Sequence, residues 1–84
     1  MNQLERSATS IGANIHEARY AHGRADFIAK MQIALKECSE TEFWLQVFLR
    51  SELLDKETIT DIYNQCGKIR RMLIASINTA KGNQ

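Results

Sequence analysis

The chain has 84 residues, 44% hydrophobic and 25% charged, with a formal net charge of +1. That length allows one domain with a modest core, the composition excludes disorder, and the near-neutral balance removes any global electrostatic case for binding nucleic acid or an anionic membrane. Two isolated cysteines make neither a disulfide framework nor a zinc knuckle, no signal peptide is evident, and no apolar run approaches the roughly 18 to 20 residues of a membrane span, so the expected setting is a reducing cytoplasm.

Proline is absent, and of the four glycines Gly23 and Gly82 fall where helices can stop. The first predicted helix covers about residues 2–21. Leu4, Ala8, Ile11, Ile15 and Ala18 recur in steps of four and three, the stripe of a bundle helix. Ala8 and Gly12, flanked by Ser7, Ser10 and Ala13, remove side-chain bulk and suit close approach by another helix. Gly12 costs about 1 kcal/mol of helix propensity relative to Ala, which close packing can offset.

The second predicted helix runs over about residues 25–53, some 40 Å at about 1.5 Å per residue. Phe27, Met31, Ala34, Leu35, Cys38, Leu45, Phe48 and Leu49 form its apolar side. Beside them Ile33, Glu37, Glu40, Trp44 and Val47 form a second stripe, apolar at both ends and acidic in the middle. The third helix, about residues 56–81, is announced by Asp55, an N-cap able to accept from the amides of Glu57 or Thr58. Ile59, Ile62, Cys66, Ile69, Leu73, Ser76 and Ala80 mark its core face, widened by Tyr63 and Ile77. The short connection makes helices two and three antiparallel. The expected fold is all-α, an antiparallel up-and-down bundle of three helices in one domain, residues 1–84.

Three blocks carry a resemblance: SATSIGANIHEA at 7–18, DFIAKMQIALKECSETEFWL at 26–45 and IASINTAK at 74–81. Together they resemble the bacterial four helix bundle proteins, also known as proteins of the intervening sequences in 23S rRNA genes. Relatives include the accessory protein of diversity-generating retroelements, a pentameric bundle that binds the reverse transcriptase and nucleic acid. The resemblance therefore implies a four-helix fold and a homo-oligomer, with a pentamer suggested. Members usually carry one more helix ahead of the segment matching residues 1–21, so SATSIGANIHEA is expected to be the second helix of four. Many also have proline where this chain has Gly12, so a kink there is softened.

Few residues suggest chemistry. His16 and His22 are six apart, which turns them about 120° from one another on a helix, and zinc needs both on one face. Cys38 and Cys66 lie on core faces and read as small hydrophobes. Glu37 and Glu40, a turn apart, lack the pocket and third group that acid–base catalysis requires; with Asn14 they are the candidate buried polar pairing, accepting from Asn14, Arg6 or Arg70. Lys68, Arg70 and Arg71 form the dense basic cluster and are the candidate nucleic-acid contact. Leu4, Ala8, Ile11, Gly12, Ile15 and Trp44 are the candidate oligomer interface. The expectation is a non-catalytic interaction protein without cofactor, metal, small-molecule substrate or membrane partner. It is either RNA- or reverse-transcriptase-associated or a protein-only assembly module.

Overall fold

A computed structural model of the chain describes residues 2–52 and 55–82. It contains α1 (Gln3–Arg19), α2 (Arg24–Ser51) and α3 (Lys56–Lys81), with no strand among the described residues. The predicted end of the second helix at Leu53 lies outside them. Asn2 caps α1, its side chain accepting from the Glu5 amide at 2.7 Å. The helix ends two residues earlier than its periodicity suggests. The amides of Tyr20 and Ala21 donate to the carbonyls of Glu17 and Ala18, both at 3.1 Å, a tightened last turn that the chain does not continue. Gly23 is not a stop but the N-cap of α2, its carbonyl accepting from the Phe27 amide at 3.0 Å. Asp55 caps α3 as expected, accepting from the Thr58 amide at 3.2 Å. Gly82 closes that helix with φ +82°, a left-handed conformation that glycine adopts without strain.

The three helices run up, down and up, with α2 in the middle. Both α1 and α3 pack on α2, and among the described residues they do not pack on each other. Ile11 and Ala18 from α1 meet Met31, Ala34, Cys38 and Leu45 from α2, while α3 supplies Ile59, Cys66, Leu73 and Ile77. The result is one layer of helices, 44 × 29 × 14 Å across its Cα atoms. Its radius of gyration is 14.0 Å, against about 12 Å for a compact domain of this length. It exposes 5828 Å², where a compact monomer would expose about 5,100 Å². The fold is an open bundle whose core is covered from one side only.

Candidate docking site

The opening lies between α1 and α3, above α2. Its α1 wall is Leu4, Ala8, Ile11, Gly12 and Ile15, its floor includes Thr41 and Leu45, and its α3 wall is Ile62, Cys66 and Ile69. Beside Thr41, whose hydroxyl is taken up within the α1–α2 contact, the polar side chains among the described lining residues are Glu5 and Gln65. The groove encloses about 500 Å³. Local sequence explains why it is both apolar and wide. The α1 stripe turns one edge toward α2, through Ser7 and Ala18, and leaves Ala8, Gly12 and Ile15 on the other. A Cβ added at Gly12 would meet nothing within 4 Å, so the small residues face open space in this chain.

Five of the six residues expected at an oligomer interface therefore line one surface. Trp44 does not. It belongs to the stripe that runs along α2 away from the groove, where Ile33, Phe43 and Val47 are exposed. Its ring meets Phe43 edge-on at 5.2 Å, and its indole Nε1 is buried without a hydrogen-bond partner among the described residues. The α3 wall was assigned to an ordinary core face by periodicity, but Ile62 is 41% exposed and faces the groove.

The polar contacts sort differently from expectation as well. Of the three candidate donors, only Arg6 reaches the acidic stripe. Its guanidinium lies 2.7 Å from Glu37 Oε2 and 2.5 Å from Glu40 Oε1. Hydrogen bonding from Arg6 holds the Glu37 carboxyl below its ordinary pKa against the opposing effect of burial, and the two carboxylates hold the Arg6 guanidinium above its own. Asn14 is not part of this pairing. Its amide donates to the Ser10 carbonyl at 2.8 Å, within its own helix. Ser7, named in the sequence only as one of the small residues beside Ala8 and Gly12, and Thr41, which sequence reading passed over, are almost wholly buried where α1 meets α2, and their hydroxyls meet at 2.9 Å. The only signal was the position of Ser7 between Leu4 and Ile11 on the stripe.

The basic cluster is divided. Arg70 Nε lies 3.2 Å from Glu42 Oε1, and Glu42 is itself buried. Lys68 and Arg71 remain exposed beside a second, polar hollow that Asp61 and Asn64 also line. Cys38 and Cys66 meet across the α2–α3 contact, the Cys38 thiol donating to the Cys66 carbonyl at 3.3 Å. Burial pushes Cys38 up to about 11 and Cys66 in the same direction, which leaves both as thiols of low reactivity. The His16 and Tyr20 rings lie 5.1 Å apart, tilted by 56°, and the His22 amide donates to Asp26.

The sequence matches the 23S rRNA-intervening sequence protein family over residues 1–75. Among solved structures, the fold is similar to that of a protein of unknown function from the S23 ribosomal protein family of Bacteroides thetaiotaomicron. That protein is 51% identical with a TM-score of 0.87, and the match covers 89% of this chain and 69% of that one. No curated protein matches.

Proposed function

The chain belongs to the 23S rRNA-intervening sequence protein family, and from that premise we propose that it is a non-catalytic helical interaction module, assembling through its open apolar groove. The observation that carries this reading is the groove itself: a helix-length channel walled by α1 and α3, with small residues where a helix would approach. Soluble proteins rarely leave contiguous apolar patches beyond a few hundred Å² uncovered. A helix laid between α1 and α3 and antiparallel to both would continue the alternation of the bundle and close its core.

The RNA- or reverse-transcriptase-associated role implied by family resemblance would draw on Lys68 and Arg71. Arg70 is engaged by Glu42, and two cations beside Asp61 supply little of the counterion release on which phosphate binding depends. Protein assembly is therefore the reading argued here. Light scattering at micromolar concentration tests it, with Ala8→Asp as the comparison because Ala8 is exposed in the single chain. The parent should show more than one subunit's mass and the variant a smaller species. One subunit's mass for both rejects the reading. Binding of an RNA hairpin that falls steeply between 50 and 200 mM salt, and is lost in Lys68→Glu with Arg71→Glu, would favour the nucleic-acid role instead.

A further inference from the structure

The polar hollow between α2 and α3 holds about 450 Å³ and shares no lining residue with the groove. We infer that it binds a phosphate monoester, whose free oxygens are taken by Arg71, Arg70 and Lys68. This site is independent of the assembly reading above.

Two guanidinium groups converge there on a glycine. From the point that a Cβ would occupy on Gly67, Arg71 Nη1 and Nη2 lie 3.3 and 4.0 Å away and Arg70 Nη2 lies 3.8 Å away. Glycine inside a helix costs stability relative to alanine, and here the space it leaves is taken by the Arg71 side chain lying back across the turn. Arg70 is fixed from behind, since the buried Glu42 meets its Nε at 3.2 Å and the Nη2 end is the one that reaches Gly67. A guanidinium already positioned loses less freedom when it binds a ligand. Arg71 and Lys68 are exposed and join no ion pair among the described residues. Asn64, Gly67, Lys68 and Arg71 lie three or four residues apart, which sets an amide, a gap, an ammonium and a guanidinium along one edge of α3.

The donors select the ligand. A carboxylate or a phosphate diester offers two free oxygens, which a single guanidinium fork satisfies. A phosphate monoester offers three, with a charge of about −1.5 to −2 at pH 7, and so engages both guanidinium groups and the ammonium together. Three cations facing Glu42 and Asp61 are too few to hold a polyanion by counterion release. One compact anion is held instead by directed, charge-assisted hydrogen bonds. Asp61 accepts from Gln65 Nε2 at 3.4 Å and lies on the same hollow as Asn64, where the alcohol part of the ester has room and polar partners.

Phenyl phosphate is the probe, titrated into isotope-labelled protein and followed through the backbone amide resonances of Gly67 and its neighbours. These should shift to saturation, and benzoate and methyl phenyl phosphate, with two free oxygens each, should bind about ten-fold more weakly. Arg71→Gln, at an exposed position, should weaken phenyl phosphate about ten-fold with helical content unchanged. Gly67→Ala should do the same, because its methyl group would stand 3.3 Å from Arg71 Nη1. Arg71→Lys should also weaken binding, since it keeps the charge and loses the fork. Lys81→Gln removes an equal charge outside the hollow and should leave the affinity at the parent's value. No shift at Gly67, an affinity no better than benzoate's, or an equal loss in Lys81→Gln overturns the site. Displacement of phenyl phosphate by an RNA hairpin that carries no terminal phosphate overturns the monoester in favour of a nucleic-acid backbone.

Discussion

The Glu37 side chain is 11% exposed and meets the Arg6 guanidinium, which is held in place by Glu40 on its other side. Because the folded protein binds the Glu37 proton less readily than the unfolded chain does, the interaction stabilises fully above the ordinary carboxylate value of 4.5. It is lost as pH falls through the lower folded value. Arg6→Gln should therefore lower the thermal midpoint at pH 7 and lower it progressively less as pH falls below 4.5; a difference of equal size at every pH would show that the contact is not electrostatic. Glu37→Ala should cost about 1 kcal/mol, kept small because Arg6 can rehydrate. Glu40, a third exposed, should cost less. Arg70→Glu would be a poor probe of nucleic-acid contact, since it sets a carboxylate against the buried Glu42 and weakens the α2–α3 packing.

Among helix ends, α2 closes least well. Its C-cap, Glu52, sits at φ 60°, a left-handed conformation that costs a side-chain-bearing residue about 1 kcal/mol or more. Glycine occupies the equivalent place after α3. Glu52→Gly should raise stability by about 0.5 to 1 kcal/mol in thermal unfolding, and an unchanged or lower midpoint would mean that the Glu52 side chain earns its place by contacts at the α2–α3 connection. Sequence reading identified all three helices, because steps of three and four are a property of each element alone. It placed the end of α1 too late because Tyr20 and Ala21 carry no stop signal; the last turn is set by the link into α2. The cap at Asp55 was legible because its acceptor and donor lie three residues apart.

For the whole molecule, the proposed assembly through the open side of a one-layer core would couple folding to association. If copies complete one another's bundle, the midpoint of unfolding should rise with protein concentration, as it does whenever only the folded state associates. Midpoints measured over a hundred-fold range of concentration check this, and a constant value would mean that the single layer is stable with its groove open. Ala8→Leu and Gly12→Leu sharpen the comparison: both keep or improve helix propensity or cost little of it, so a loss of the concentration dependence would come from the blocked approach.

The all-α class, the three helices, the Asp55 cap and the small-residue edge of α1 were determined by the sequence itself, since each depends on spacing or chemistry within a few turns of one helix. The tertiary structure decided what those faces meet. Periodicity could not tell that α1 and α3 both pack on α2 and leave a gap between them, that Ile62 and Ile69 form the far wall of that gap, or that Trp44 does not line it. Nor could it choose Arg6 over Asn14 and Arg70 as the partner of Glu37. The physical reason is that a helix's sequence sets the angle between its own side chains, whereas contact across helices depends on how far each is rotated and slid against its neighbour, and that is settled only by packing all three cores at once.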